Sequence, residues 1–297
     1  MTAFKHYLRC PFRFYLAHVL QMQPVDPEKS ELDAFDFGHL CHGALEAMAR
    51  EPGLRDCADA TALRDFLLGW LDRASRARYG KNVSLPLVVQ FESARQRLSR
   101  AAEIQAQERA AGWVIERVEW KFPEDNSVQL GGLVVRGKID RIDRHEKTGA
   151  VRVLDYKTSD RPVNPQKAHC QAARDVAPAL LAEAQFELEG VALEWTDLQL
   201  PLYRHALADE FGADIACGYF NLPKAIGETG IAMWAGYTPE WQSAAVRCGE
   251  AVARAIAAGR FWPPNEDLNA RQDDFAGLFH RGVAESIAPG WAKEVAR

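Results

Sequence analysis

The sequence predicts an α/β fold, a mixed central sheet flanked by helices, and three observations lead there. Helical periodicity fills residues 1–112, β-branched segments crowd the stretch from Trp113 to Thr158, and helix and strand patterns alternate afterwards. The 297 residues are ample for one large domain or two small ones, with ordinary apolar and charged content.

Helical spacing covers Thr2 to Met22, Leu32 to Arg50, Ala60 to Tyr79 and Val88 to Ala111. Three strands follow between Trp113 and Thr158. Asp160 to Leu193 mixes polar, proline-containing and helical stretches, so it reads as an insertion or a lid and is the segment expected to move most. Asp197 to Phe211 is helical again, Ala213 to Leu222 is a further strand, and Glu240 to Gly259 is a late helix. The N-terminal helices are expected to wrap the sheet rather than form an independent domain.

Several classes are excluded. No low-complexity segment or internal repeat is present, and no apolar run approaches the roughly 20 residues needed to cross a bilayer. Lys5, Arg9 and Arg13 interrupt the N-terminus, which is therefore unlike a signal peptide, and a cytoplasmic location is expected. Cys10, Cys41, Cys57, Cys170, Cys217 and Cys248 are scattered without a Cys-x-x-Cys pair, so neither a zinc nor a disulfide framework is indicated.

Asp140, Asp155 and Lys157 carry the chemistry. They lie on two segments that read as strands, Val134 to Ile142 and Ala150 to Lys157. Side chains alternate along a strand, so Asp155 and Lys157 share a face and Tyr156 points the other way. Pairing of the two segments as a hairpin through Asp143 to Gly149 would bring Asp140 close to Asp155. Paired carboxylates suit a hard divalent cation such as Mg²⁺ or Mn²⁺. The bland alternative for any isolated Asp-x-Lys is a surface ion pair.

Four blocks in order give that pair a context: Tyr7-Leu8-Arg9-Cys10-Pro11-Phe12-Arg13-Phe14-Tyr15-Leu16; Gly38-His39-Leu40-Cys41-His42-Gly43-Ala44-Leu45-Glu46; Gly137-Lys138-Ile139-Asp140-Arg141-Ile142-Asp143 with Leu154-Asp155-Tyr156-Lys157-Thr158; and Gln199-Leu200-Pro201-Leu202-Tyr203. Together they resemble the PD-(D/E)xK nuclease superfamily, and within it the RecB/AddB-type nuclease domains and their Cas4-like relatives. The resemblance spans nearly the whole chain. It implies a restriction-endonuclease-like core over 113–297, with the 160–193 insertion, following a helical region over 1–112, all in one nuclease domain over 1–297.

The resemblance also implies roles. Asp140 and Asp155 would hold the metal, His42 would add a nitrogen ligand, and the backbone carbonyl of Tyr156 would complete the protein shell. Lys157 would face the attacking water and the scissile phosphate, either as a base or as a cation that stabilises the transition-state charge. A histidine among oxygen ligands makes Mn²⁺ a candidate beside Mg²⁺. Gln199 and Tyr203, four apart on one helical face, would line the site, the amide bonding metal-bound water or Lys157 and the hydroxyl reaching a phosphate. The alternative for Tyr203 is core packing with its hydroxyl at the rim. Glu46 is either an acceptor at the site or half of a surface pair, and Glu119, on the preceding strand, is a further acidic candidate. Several AddB-type relatives bind an iron-sulfur cluster through one cysteine in the opening helix and three near the C-terminus. Cys10 fits the first place, but Phe261 to Gly282 contains no cysteine, so no iron-sulfur cluster is expected.

A formal net charge of −5 means that DNA must be held by local basic patches and the metal. Candidates are Lys5, Arg9 and Arg13; Arg95, Arg97 and Arg100; and Arg73, Arg76, Arg78 and Lys81. Solvated helix faces are an equally good account of each group. The function expected is a metal-dependent exonuclease acting on DNA ends in recombination and repair. A catalytically silent nucleic-acid-binding or scaffold module that partners a helicase, and an endonuclease, are the alternatives. The chain opens at the first nuclease helix, which in relatives often follows helicase-like sequence.

Overall fold

The computed structural model describes residues 2–23, 31–123, 128–173, 181–265, 274–279 and 283. Helices α1 (Thr2–Arg9) and α2 (Pro11–Phe14), the latter running on into a wider π turn, open the chain. They are followed by α3 (Ala34–Arg50), the short α4 (Pro52–Arg55), α5 (Ala60–Tyr79) and α6 (Leu85–Ala110). The starts of α3 and α5 are written in the sequence. The Asp33 carboxylate accepts the Asp36 N–H at 2.8 Å, and that of Asp59 accepts the Thr61 N–H at 2.8 Å, each satisfying a donor that the helix cannot.

Strand β1 (Trp113–Lys121), a short pair β2 (Gln129–Leu130) and β3 (Leu133–Val134), then β4 (Lys138–His145) and β5 (Val151–Lys157) form the middle of the chain. Next come α7 (Pro165–His169), β6 (Cys170–Ala172), β7 (Gln185–Leu188), β8 (Val191–Trp195), α8 (Gln199–Phe211), β9 (Ile215–Asn221), β10 (Gly230–Met233) and α9 (Pro239–Ala257). The main sheet runs β1-β4-β5-β9-β10, and only the β5–β9 pair is parallel. A mixed sheet flanked by helices is therefore observed, with two apolar layers. One face packs against α1, α8 and α9 through Val153, Leu202, Tyr203 and Val252. The other packs against α3, α5 and α6 through Leu45, Leu67, Leu98 and Tyr156.

Two departures from the sequence reading have identifiable causes. The strand expected from Val134 to Ile142 is split: Leu133–Val134 turns back on Gln129–Leu130, and β4 begins only at Lys138 and runs on to His145. Val134 and Val135 belong to the hairpin with Gln129 and Val128 instead, the Val135 N–H bonding the Val128 carbonyl at 2.9 Å, and Gly131, with a φ of +54° and the Glu250 carbonyl of α9 where a Cβ would go, makes the tight turn of that hairpin. The second departure is 160–193, where α7 and a three-stranded antiparallel sheet, β6-β8-β7, include the fully buried His169. Trp195, at the end of β8, anchors this sheet among Phe186, Trp234 and Trp241. Residues 174–180 of that segment lie outside the described residues, as do 266–273 and 280–282 of the cysteine-free stretch.

Behind the β4–β5 hairpin, facing α6, lies a buried charge cluster. The Arg141 guanidinium grips both oxygens of Asp143, at 2.5 and 2.9 Å, and donates to Gln105 at 2.6 Å. Arg152, opposite Asp143 in the ladder, adds a bond to the same carboxylate at 3.0 Å and pairs with Glu108 at 2.6 Å. Both Arg141 and Asp143 side chains are wholly buried. Such a cluster favours this register, because Arg152 comes from the facing strand and a one-residue slip would strand its guanidinium without the Asp143 carboxylate. Asp143→Ala should therefore destabilise the protein by about 3–5 kcal/mol in urea unfolding. A loss below about 1 kcal/mol would mean that the cluster does not hold the hairpin.

Candidate active site

The hairpin ladder stops early, and the site is built where it stops. The last β4–β5 pair is Arg141↔Leu154, whereas β5 continues for three more residues against β9, through Lys157↔Asn221. The two strands part at Asp140, and the fork exposes backbone groups of β5 that a neighbour would otherwise bond. Side chains take them up. Asp140 Oδ2 accepts the Tyr156 N–H at 3.0 Å, and His42 Nε2 lies 3.1 Å from the Tyr156 carbonyl oxygen. His42 Nδ1 is 3.4 Å from Asp140 Oδ2, so one imidazole bridges the carboxylate and the carbonyl.

Helix α3 can deliver His42 because it runs close to the end of β5. A Cβ on Gly38, one turn before His42, would come within 3.3 Å of Thr158 Oγ1. Gly38 thus leaves room for α3 to approach the residue that follows β5. On the opposite face of the fork stands α8. Lys157 Nζ is 2.7 Å from Asp155 Oδ2 and donates to Gln199 Oε1 at 3.2 Å. Gln199 Nε2 donates to Asp155 Oδ1 at 2.9 Å and to the Tyr203 hydroxyl at 2.9 Å. The expected alternation holds: Asp155 and Lys157 face α8, while the Tyr156 ring is buried on the α3 side.

Electrostatics follow from crowding. Burial and the neighbouring Asp155 carboxylate push the Asp140 carboxyl well above the usual carboxylate range, against the pull of the Tyr156 N–H. Burial also lowers the His42 pKa, more than nearby Asp155 raises it, so the ring is neutral near pH 7. A carbonyl can only accept, so Nε2 carries the ring proton and Nδ1 offers its lone pair towards Asp140. Burial opposes a charge on Lys157, but Asp155 at contact, with Asp197 and Asp140 behind it, outweighs that cost and holds the amine above its ordinary pKa. Burial and Asp155 keep the Tyr203 hydroxyl protonated.

The accessory candidates separate. Glu119 flanks Asp140: it falls between the ladder pairs Val118↔Arg141 and Trp120↔Ile139, pairs with Lys138, and helps to raise the Asp140 pKa. Its φ of +49° is unusual for a glutamate, and local strain of this kind persists only where the surroundings enforce it. Glu46 instead accepts Arg50 Nε at 2.8 Å as an i,i+4 pair on the helix surface. Among the DNA-binding candidates, Arg13 donates to the Asn265 carbonyl at 3.2 Å and the Arg9 carbonyl accepts Asn265 Nδ2 at 2.9 Å, so both fasten the chain's later segment. Arg95 is paired with Asp72. Cys10 Sγ accepts the Asn265 N–H at 3.2 Å.

Three contributors escaped the sequence reading. The Tyr219 ring lies under Lys157, 4.6 Å from Nζ, because the parallel register sets Tyr219 beside Asp155. Asp197 accepts the Gln199 N–H at 2.9 Å and meets Lys5 of α1 at 3.1 Å, thereby fixing the start of α8. Arg97, expected on a basic surface, is buried and bonds the Thr158 and Leu222 carbonyls at 2.7 and 3.1 Å, tying together the chain just beyond β5 and β9. Only Asp197, a capping residue type two before Gln199, left a local signal.

A family model for the PD-(D/E)XK nuclease superfamily matches residues 1–271. The chain belongs to the PD-(D/E)XK nuclease superfamily, and with membership come the activity class, a nuclease acting as a hydrolase, and the divalent metal ions that such nucleases generally use. No curated protein matches the chain. DNA is the substrate that a nuclease of this family implies. No helix among the described residues is long and apolar enough to cross a membrane.

The donor set suits a divalent cation: carboxylates at Asp140 and Asp155, a carbonyl at Tyr156 and a neutral imidazole at His42 meet at one fork. The raised Asp140 pKa marks an excess of negative charge that a cation would relieve. Among the described residues no three His, Cys, Asp or Glu side chains are arranged as a finished cage, since Asp155 is turned towards Lys157 and Gln199. A carboxyl whose folded pKa exceeds its unfolded value contributes stability that is present below the unfolded value, about 3.9, and lost as pH rises through the folded one. Asp140→Asn should therefore raise the melting temperature in EDTA at pH 8, with the gain shrinking as pH falls. An unchanged or lower melting temperature at pH 8 would contradict this charge crowding.

Proposed function

We propose that this chain is a Mg²⁺- or Mn²⁺-dependent deoxyribonuclease of the RecB/AddB and Cas4-like type, an exonuclease that trims DNA ends for recombination and repair, with a helicase domain or subunit as its partner. The observation that carries the reading is the single hydrogen-bonded group formed by Asp155, Lys157, Gln199 and Tyr203 beside Asp140 and His42.

Phosphodiester hydrolysis needs a deprotonated water, a counter-charge for the phosphoryl oxygens and stabilisation of the leaving alkoxide. A divalent ion held by Asp140, Asp155, the Tyr156 carbonyl and His42 would supply Lewis acidity and a lowered water pKa. The protein's own groups do the rest. Lys157, kept protonated by the surrounding carboxylates, serves as a fixed cation towards the phosphate rather than as a base. Gln199 holds the Lys157 amine through Oε1 and the Asp155 carboxylate through Nε2, so it orients both groups with one amide. Tyr203 presents a protonated hydroxyl that can donate to a phosphate oxygen. The Tyr219 ring beneath Lys157 limits where its ammonium can go. The register of β5 against β9 and the start of α8 set these positions before substrate arrives.

Lys157→Ala should lower turnover ~10²-fold or more, the scale of losing one preorganised electrostatic donor. DNA affinity in EDTA should stay close to that of the wild type. Undiminished cleavage by that variant would remove Lys157 from the mechanism. With end-labelled linear and covalently closed DNA in Mg²⁺, Mn²⁺ and EDTA, degradation of linear DNA alone, dependent on metal, is expected. Cleavage of closed circles would make the chain an endonuclease, and binding without cleavage would leave a silent module.

A further inference from the structure

Gln199 and Tyr219 hold Lys157, and one residue away from the site touches the support of both. It is His169, wholly buried at the end of α7. A buried imidazole is costly unless its ring nitrogens are satisfied, and here both are. Nδ1 lies 2.7 Å from the Pro165 carbonyl oxygen, which can only accept, so Nδ1 carries the ring proton. Nε2 keeps its lone pair and accepts the Leu200 N–H at 3.2 Å. Burial lowers the pKa of this ring more than Asp197 raises it, which leaves the imidazole neutral near pH 7 and the acceptor intact.

The bond to Leu200 completes the start of α8. Its opening residues are Gln199, Leu200 and Pro201, and proline has no N–H, so the donors of Gln199 and Leu200 need partners outside the helix. Asp197 takes the first and His169 the second. The backbone carbonyl of His169 also accepts the Thr196 N–H at 2.8 Å and the Asp197 N–H at 3.2 Å, and Thr196 Oγ1 donates to the Ala168 carbonyl at 3.2 Å. The chain entering α8 is thus fastened to α7 by both backbone and side chain. On another side the imidazole stacks on the Tyr219 ring, with centroids 5.9 Å apart and 23° between the planes, and the Tyr219 hydroxyl lies 3.4 Å from Nδ1. Trp234 packs against the same imidazole at 5.0 Å.

We infer that His169 is a positioning residue of the proposed nuclease, fixing the Lys157 ammonium through Gln199 on one side and Tyr219 on the other. A shift in the first turn of α8 would move the single amide that bonds both Lys157 and Asp155, and a tilt of Tyr219 would free the space beneath the ammonium. This inference rests on the nuclease reading of the site and adds to it a residue of α7 that, being buried, acts only through its neighbours. A histidine that merely filled the core would stabilise the fold without regard to Lys157.

The test is a double-mutant cycle on single-turnover cleavage of linear DNA in Mg²⁺ and Mn²⁺. His169→Phe keeps a ring against Tyr219 and removes both nitrogens. It should lower the rate about tenfold, within the ~10²-fold that a misplacement of about 1 Å can cost, while DNA affinity in EDTA changes by less than about twofold. His169→Gln returns an acceptor towards Leu200 and should recover the rate to within about threefold of the wild type. In a Lys157→Ala background, His169→Phe should lower the residual rate by less than about twofold, because the group it positions is gone. If the phenylalanine variant does not fold, His169→Asn, which keeps a donor for Pro165 and is too short to reach Leu200, replaces it in the cycle. A wild-type rate for His169→Phe, no recovery in His169→Gln, or an equal loss with and without Lys157 would overturn the inference and leave the nuclease reading standing. A wild type that cleaves nothing in either metal would overturn that reading and this role together.

Discussion

The site depends on the parting of β4 from β5. Antiparallel pairing ends at Arg141↔Leu154, yet β5 is held straight for three further residues by its parallel partner β9. The backbone N–H and C=O of Tyr156, freed by the fork, are met by Asp140 and His42 instead of by a strand. That substitution gathers acidic and imidazole groups at one point without help from any loop. The buried Arg141–Asp143–Arg152 cluster behind the hairpin keeps the fork at this register, and Arg97 ties the chain beyond β5 to that beyond β9 from the helical side.

A site made this way is poised at a cost. Asp140 and Asp155 repel, and burial makes the repulsion worse, which is why the Asp140 carboxyl is pushed towards its neutral form. Lys157 offsets part of this charge through Asp155, and Gln199 bonds both members of that pair. The same charge imbalance suits the divalent cation that the family's chemistry uses. In the proposed mechanism, function and local instability have one origin.

Much of the fold was legible because helix signals are local. Helical spacing announces α3, α5 and α6, and the β-branched runs announce β1, β4 and β5. Asp140, Asp155, Lys157, Gln199 and Tyr203 could be picked out through the resemblance to the nuclease superfamily, while strand and helix periods gave only the shared faces of Asp155 with Lys157 and of Gln199 with Tyr203, and the structure brings them together. What escaped the sequence is non-local. Tyr219 lies under Lys157 only because β9 pairs in parallel with β5, a register that no segment encodes alone. Arg97 looked like part of a basic surface because its neighbours Arg95 and Arg100 are surface residues, yet it turns inward to two carbonyls. Val134 left the expected strand to pair with Gln129, in a hairpin whose turn at Gly131 is packed against α9, more than a hundred residues later.

Manganese binding tests the central claim most directly, since it asks whether the fork holds a divalent ion before any substrate is present. Mn²⁺ is titrated into the wild type, Asp140→Ala and Asp155→Ala, and the free ion is followed by electron paramagnetic resonance. Saturable binding by the wild type, weakened at least tenfold in both variants, is the expected result. Equal binding by all three proteins, or none by the wild type, would contradict a metal site at the parting of these strands.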